Sequence, residues 1–202
     1  MKPEKVVMRR IFNRLDIDFS KVKVIVDLGA WIGISPSWFA SKAPQALIIA
    51  VEPIIENYQE MLKLIKKYDQ KNIITLNSAI SDKTGTAKMY LAEKSESHSF
   101  FKYKRFIKKE LNEEVSTITW DDLVDLYKIE EVDLAKVNIE GAELMFFQGM
   151  TKVFPKKILL EEHKRCIKNY PYDELLKIIK EKGYEIINYI KSDLYLEYAG
   201  TL

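Results

Sequence analysis

Two short hydrophobic runs, each with an acidic residue at its end, constrain the fold of this chain more than any other feature. The run over 24–28 contains Asp27 and leads into a turn with Gly29 and Gly33, and the run over 46–51 is followed directly by Glu52. Such runs, separated by a helix-length segment, are typical of parallel strands in βαβ units. Acids at the carboxyl ends of neighbouring parallel strands lie in the crevice where these folds bind nucleosides. The sequence therefore predicts an α/β fold with a nucleoside site at the strand ends.

The turn after the first strand narrows the ligand class. A dinucleotide-binding turn reads G-x-G-x-x-G, and an acid for the ribose hydroxyls follows about 20 residues later. Glu52 stands at that distance from Gly33, but a pattern started at Gly29 meets Trp31 and Ile34 where glycines are required. The backbone therefore cannot close on a pyrophosphate there, and an adenosine ligand without phosphates fits the sequence better.

Several motifs, in chain order, resemble one enzyme family. VDLGAWIG (26–33), AVEP (50–53) and KVNIEGAE (136–143) look like motifs of the class I S-adenosylmethionine-dependent methyltransferases, most closely of the FkbM-type family. The likeness covers residues 22–165, with further matches at 77–85, 117–123 and 158–163. This chain has Asn138 where the family usually has Asp, and Trp31 stands where a small polar residue is commoner.

The resemblance implies an α/β, Rossmann-like class I methyltransferase fold, with a largely parallel twisted sheet, helices on both faces and a C-terminal antiparallel hairpin. Hydrophobic periodicity and turn signals predict strands near 23–28, 46–51, 73–77, 134–139 and 157–161. They also predict helices near 4–14, 35–42, 55–68, 120–128, 141–149 and 172–182. The segment 86–91 is expected to add a strand or hairpin arm, and 184–189 to pair with 194–198.

Length and composition exclude several classes of protein. A chain of 202 residues suffices for one well-buried domain, expected to span 1–202. A net charge of +2, from 32 basic and 30 acidic residues, gives no global attraction for nucleic acid or membranes. The single cysteine, Cys166, excludes an internal disulfide framework, and the longest apolar stretch, 46–51, is too short to cross a bilayer. We therefore expect a cytoplasmic protein with no membrane partner.

The segment 93–114 has no regular period and interleaves aromatic with basic residues. We interpret it as an insertion, or lid, over the active site. It could stack bases and neutralise phosphates as single-strand binders do, bind an anionic sugar, or close its aromatic side chains over the cofactor. His98 lies in this segment and is expected to be solvated, with substrate contact as the alternative. The aromatic and basic residues are Phe100, Phe101, Tyr103 and Phe106, and Lys102, Lys104, Arg105, Lys108 and Lys109.

By resemblance, the strand ends hold S-adenosylmethionine. The first strand end and its turn would contact the methionine portion, Glu52 would accept from both ribose hydroxyls, and Asp82 would accept from the adenine amine. Each has a competing interpretation. The first strand end could be an ordinary strand-to-helix turn, Glu52 a charge at a helix start, and Asp82 part of a plain turn. Trp31 either interacts with the sulfonium or packs on the sheet. The expected cofactor residues are Asp27, Gly29, Ala30, Trp31, Gly33, Glu52, Ser78, Ala79, Asp82 and Asn138.

Catalysis is expected where the fourth and fifth of these strands end. Asn138, Glu140 and His163 follow those strands and should converge on the methyl acceptor. Glu140 or His163 could take the proton of a hydroxyl acceptor, and the ordinary pKa of histidine suits this at neutral pH. Glu143 is either functional or a helix-start cap. A metal site of Glu140, Glu161 and His163 is an alternative, but the spacing matches no tight metal motif, and we expect no metal.

The expected function is transfer of a methyl group from S-adenosylmethionine to a hydroxyl of a sugar or another small polar metabolite. The oxygen acceptor is implied by the resemblance. Two alternatives stay open at this point. One is an RNA or nucleoside methyltransferase that uses the basic insertion, and the other is a catalytically inactive cofactor-binding module, which Asn138 suggests.

Overall fold

The computed structural model describes residues 17–92, 95, 97–101 and 107–200, with the backbone alone over 107–111. The helix expected near 4–14 lies outside these residues. The helices are α1 (Ile34–Lys42), α2 (Ile55–Lys67), α3 (Trp120–Leu126), α4 (Glu143–Gln148) and α5 (Tyr172–Glu181). The strands are β1 (Val24–Leu28), β2 (Leu47–Val51), β3 (Ile73–Leu76), β4 (Ala79–Ile80), β5 (Gly85–Ala92), β6 (Ile107–Ile118), β7 (Leu134–Val137), β8 (Lys157–Glu161), β9 (Tyr184–Ile190) and β10 (Asp193–Tyr198).

A seven-stranded sheet in the order β3-β2-β1-β7-β8-β10-β9 forms the centre of the fold. The first five strands in this order run parallel, and β10 pairs antiparallel with both β8 and β9. The predicted mostly parallel sheet with a C-terminal antiparallel hairpin is therefore confirmed. Because parallel strands end at one edge, Asp27, Glu52 and Asn138 come to the same side of the molecule.

A second sheet of three strands, in the order β4-β6-β5, holds the segment that was expected to be irregular. The strand expected near 86–91 is present as β5, but residues 107–118 form a long strand paired antiparallel with it. Residues 107–114 are therefore regular, whereas the interpretation of 93–114 as an insertion or lid over the active site stays a prediction. Charged residues stand there in two runs, 108–110 and 113–114, with no alternation of apolar and polar positions, so the strand is recognised by its backbone pairing with β5.

Helices cover both faces of the larger sheet, as the alternation of side chains along β1 requires. Val26 and Leu28 point into a buried cluster with Phe146 of α4 and Leu175 of α5. Ile25 points to the opposite face, where it packs with Trp38 and Phe39 of α1 and with Leu134 of β7. Asp27 shares that second face, because side chains two residues apart in a strand point the same way. None of the helices in the described part of the chain has the length and apolar character needed to span a bilayer.

Candidate active site

A cavity of about 340 Å³ opens at the carboxyl ends of β1, β2 and β7. That volume lies within the usual range for small-molecule sites, and the location is where open α/β sheets bind their ligands. The lining includes Gly29, Ala30, Trp31, Glu52, Ser78, Ala79, Asn138 and Glu140, and also Asn57, Met89, Ser95, His98, Phe100 and Lys136. Most of the predicted site residues are thus brought together. His98 lines the cavity, so it is not simply a solvated loop residue.

The turn after β1 requires glycine for steric and conformational reasons. Gly29 has φ +76°, and a Cβ there would lie 1.8 Å from the carbonyl oxygen of Asn138. Gly33 has φ +87°, and its Cβ would lie 2.8 Å from Cγ of Met61 in α2. Gly33 thus shapes the start of α1 and lets α2 pack closely, and it lies behind the cavity wall. Asp27 also lies behind the cavity wall, because it is completely buried.

Gly29→Ala is expected to destabilise the fold by about 1–3 kcal/mol and to abolish measurable cofactor binding, because the loop or Asn138 must move. Thermal unfolding and calorimetry would measure the two effects. Gly85→Ala is the matched control, since Gly85 has φ +155° and no heavy atom within 4 Å of an added Cβ. Equal losses in both variants would show that backbone strain, rather than the close approach to Asn138, is responsible.

Glu52 is almost completely buried, and its carboxylate already accepts several hydrogen bonds. Oε2 accepts from the backbone N–H of Trp31 at 2.9 Å, while Oε1 accepts from the Ile54 N–H at 3.1 Å and from Asn57 Nδ2 at 3.2 Å. Burial raises the pKa of Glu52, and these hydrogen bonds act in the opposite direction. A carboxylate has about four acceptor sites. With three in use, one is available to a ribose hydroxyl without rearrangement of the protein.

Trp31 links the glycine turn to the segment that covers the cavity. Its indole Nε1 donates to Ser95 Oγ at 3.0 Å, and the Ser95 carbonyl accepts from Asn57 Nδ2 at 2.9 Å. The ring therefore faces the cavity and the covering segment instead of packing on the sheet. Asn57 bridges Glu52 and Ser95, a role that nothing in its sequence context indicated.

The adenine side of the predicted site is only partly as expected. Ser78 and Ala79 line the cavity, and Ser78 Oγ donates to the Ser116 carbonyl at 3.1 Å. Asp82 is exposed and accepts from Ser81 Oγ at 3.1 Å, away from the cavity wall. The competing interpretation of 81–85 as a plain turn describes Asp82 better than adenine binding does.

A partly buried ion pair lies at the cavity floor, with Lys136 in the lining and Asp27 behind it. Lys136 Nζ donates to Asp27 Oδ1 at 2.8 Å and to the Gly29 carbonyl at 2.9 Å. Within the described residues, Asp27 Oδ2 and Asn138 Oδ1 are buried and have no hydrogen-bond partner. Unpaired buried acceptors are costly, so these two oxygens indicate a missing donor at this place.

The loop after β7 is held in an uncommon backbone conformation. Glu140 has φ +50° and Gly141 has φ +105°. A Cβ on Gly141 would lie 2.2 Å from Cδ1 of Ile167, and the Glu140 carbonyl accepts from Ser99 Oγ. Non-glycine residues in this region of backbone space cost energy and concentrate at functional sites. The strain, the packing of Ile167 and the contact from Ser99 together direct the Glu140 side chain.

His163 lies between two carboxylates and is itself buried. Its Nδ1 is 2.8 Å from Glu143 Oε1, and its Nε2 is 3.3 Å from Glu140 Oε1. Burial alone would lower the pKa of His163, but the hydrogen bonds to Glu140 and Glu143 raise it to about 11. His163 is therefore an imidazolium at neutral pH, and the expectation that it titrates near neutrality does not hold in this geometry.

Glu143 belongs to the same buried network rather than to a helix cap. Its Oε2 accepts from Tyr170 OH at 2.6 Å, its Oε1 accepts from the Gly141 N–H at 3.0 Å, and it makes no capping bond at the start of α4. Both nitrogens of His163 face carboxylates. No metal-binding cluster of three or more His, Cys, Asp or Glu residues occurs in the part of the chain that the structure describes.

These features fit S-adenosylmethionine. The glycine turn permits close approach, Glu52 retains an acceptor site, and the acidic surroundings suit a ligand with a positively charged sulfonium. Asn138 Oδ1, a buried oxygen of the cavity lining with no hydrogen-bond partner among the described residues, is of the kind that could accept from an ammonium group. The fold and this site together define a class I S-adenosylmethionine-dependent methyltransferase.

The sequence comparison identifies the family. The family model of the methyltransferase FkbM domain matches residues 27–186, so the chain belongs to the FkbM methyltransferases. S-adenosylmethionine is accordingly its cofactor. The sequence has no significant match among curated proteins.

Solved structures of low sequence identity share the fold. Fibrillarin from Aeropyrum pernix, in complex with natively bound S-adenosyl-L-methionine, is 13% identical, with a TM-score of 0.57 over 97% of this chain and 74% of that one. Precorrin-6y C5,15-methyltransferase from Geobacter metallireducens is 10% identical, with a TM-score of 0.55 over 98% and 88%. StiE O-MT is 9% identical, with a TM-score of 0.58 over 92% of this chain and 52% of that one.

Proposed function

We propose that this protein methylates a hydroxyl group of a sugar or another small polar metabolite, with Glu140 as the general base. When bound, S-adenosylmethionine supplies a methyl group on a positively charged sulfur. The acceptor oxygen gains that methyl and gives its proton to a carboxylate oxygen of Glu140. The observation that carries the proposal is the position of Glu140, whose side chain lines the cavity beside Asn138.

The chemistry requires orientation more than covalent assistance. Methyl transfer is an in-line displacement, so holding the acceptor in near-attack geometry supplies much of the rate enhancement. A hydroxyl acceptor also has to lose its proton, which calls for a base within hydrogen-bond reach. The imidazolium of His163 pairs with the Glu140 carboxylate at 3.3 Å and restrains its rotation. His163 lies behind Glu140, so we assign it a positioning role.

Asn138 is a contact residue in this proposal. Asn138 lines the cavity, and its buried Oδ1 has no partner within the described residues. An amide oxygen accepts a hydrogen bond as a carboxylate does, but without adding a further negative charge beside Asp27. Asn138 is therefore compatible with a competent site, and the inactive-module alternative rests on the family pattern alone.

The charges that line the cavity bear on the charge of the acceptor. Among the described lining residues, Lys136 is the only lysine or arginine, and it is paired with Asp27. The described lining therefore offers no unpaired lysine or arginine for an anionic sugar or an RNA. We favour a small acceptor, and we place the enzyme in the cytoplasm, as the sequence led us to expect.

Labelling of a fractionated cell extract with methyl-labelled cofactor tests the proposal. Label is expected in the small-molecule fraction, in an ether bond that survives mild alkali and ribonuclease. Gly29→Ala protein is the control, because it should not hold the cofactor. Label in a ribonuclease-sensitive fraction would establish the nucleic-acid alternative, and the absence of label in every fraction would favour the inactive module.

Glu52 offers a second test, directed at the cofactor. Glu52→Gln is expected to weaken binding of S-adenosylhomocysteine by about 1.5–3 kcal/mol, since a charged hydrogen-bond partner of the ribose is lost. Calorimetry with the 2′-deoxy and 3′-deoxy analogues of S-adenosylhomocysteine should show which hydroxyl Glu52 binds. The analogue that lacks this hydroxyl should lose little affinity when Glu52 is replaced. Thermal unfolding controls for the contacts of Glu52 with Trp31 and Ile54. Unchanged affinity in a folded variant would refute the ribose assignment.

A further inference from the structure

Lys136 is a buried cation in a strand that is otherwise apolar. The strand β7 reads LAKV, and Lys136 is paired in register with Asp27 of β1. Its side chain is 13% exposed and lines the cavity. A buried ammonium is unfavourable unless it is well paired, so its presence in this wall calls for an explanation beyond packing.

The hydrogen bonds of Lys136 leave part of its capacity unused. An ammonium group has three N–H donors. Two of them go to Asp27 Oδ1 and the Gly29 carbonyl, and the third has no partner within the described residues. Both occupied acceptors belong to β1 and its turn, on the floor where the methionine end of the cofactor would lie.

The surroundings of Lys136 carry charges and acceptors that match a zwitterion. Asn138 Oδ1 lines the cavity as a buried acceptor with no donor among the described residues, and it suits the α-ammonium of an amino acid. The negative charge of Asp27, directly behind the wall, favours a cation at the same place. The α-carboxylate of the same amino acid needs a donor nearby. Lys136 is the only lysine or arginine among the described residues that line the cavity.

We propose that Lys136 is a specificity-determining residue for the cofactor: its ammonium binds the α-carboxylate of the methionine portion. Lys136 thereby selects ligands that keep this carboxylate and discriminates against decarboxylated S-adenosylmethionine. The bond to Asp27 holds the ammonium in place, and the bond to the Gly29 carbonyl couples it to the glycine turn. This inference concerns the cofactor and does not depend on which acceptor is methylated.

Calorimetry with two ligands tests the proposal. The wild-type protein is expected to bind S-adenosylmethionine roughly 10- to 100-fold more tightly than its decarboxylated analogue. The analogue lacks the carboxylate, so it loses one charge-assisted hydrogen bond to Lys136. In Lys136→Met, this ratio should fall to about one. Lys157→Met is the matched control: Lys157 lies in the neighbouring strand β8 and pairs with Glu197 at 3.4 Å, so the ratio should persist.

A second variant keeps the test valid if Lys136→Met fails to fold because Asp27 is left as an unpaired buried charge. The double variant Lys136→Met with Asp27→Asn removes both charges together, and the ratio should again fall to about one. A wild-type protein that binds both ligands equally would overturn the proposal. So would a full ratio in either folded variant, because a merely structural lysine would weaken both ligands to the same extent.

Discussion

Glu140→Gln is expected to lower turnover by roughly a hundredfold or more while cofactor affinity stays within about twofold of the wild type. Glutamine keeps the shape of the side chain but cannot take a proton from the acceptor. The backbone of the loop should be retained, because Ser99 contacts the carbonyl of Glu140 rather than its side chain. The measurement is single-turnover methyl transfer with labelled cofactor, alongside calorimetry with S-adenosylhomocysteine.

Glu130→Gln is the control for this experiment. Glu130 is an exposed acid outside the cavity, so its replacement should change neither turnover nor affinity. Full turnover in Glu140→Gln would rule out Glu140 as the base. A parallel loss of cofactor affinity and turnover would instead mean that Glu140 shapes the cofactor site and has no separate part in proton transfer.

His163→Ala is expected to destabilise the protein by about 3–5 kcal/mol, because the carboxylates of Glu140 and Glu143 lose the cation between them. Glu143 is completely buried, so water cannot easily replace the lost partner. Tyr170 and Gly141 would still donate to Glu143, while Glu140 would lose its imidazolium partner. Denaturant unfolding of both proteins gives the difference in free energy.

The pH dependence of this difference has a definite sign. The pKa of His163 rises from an ordinary 6.5 to about 11 in the folded protein, despite burial, through its hydrogen bonds to Glu140 and Glu143. A raised pKa means that the stabilisation by His163 is complete below about pH 6.5 and decreases as the pH rises toward 11. The difference in stability between wild type and His163→Ala should therefore shrink from pH 7 to pH 10. A difference that stays constant from pH 7 to pH 10 would show that His163 is neutral when folded.

His163→Gln separates the positioning role from a direct catalytic one. Glutamine can donate to Glu140 but carries no charge, so part of the turnover should return relative to His163→Ala. If His163 were the base, glutamine would restore nothing.

Much of the framework could be predicted from the sequence because it depends on local patterns. The apolar runs give β1, β2, β3 and β8 to within a residue at each end, and Glu52 lines the cavity because it directly follows one of them. The hairpin of β9 and β10 likewise follows from alternation around a short turn. Residues at the carboxyl ends of parallel strands come together whatever the details of packing.

Features that depend on distant contacts could not be predicted in this way. The charge state of His163 is set by Glu143, which is 20 residues away, and Tyr170 completes the network from a segment with no recognisable motif. Strand β6 lacks an apolar period and depends on pairing with β5. Lys136 did have a signal, a lone charge in an apolar strand, but its pairing with Asp27 needs the strand order to be known.

A crystal structure of the complex with S-adenosylhomocysteine would locate the cofactor. We expect the ribose at Glu52, the amino-acid end over Asp27 and Lys136, and the sulfur atom on the side of the cavity where Glu140 lies. A ligand bound outside this cavity, or a sulfur atom that faces away from Glu140, would rule out the proposed methyl-transfer site.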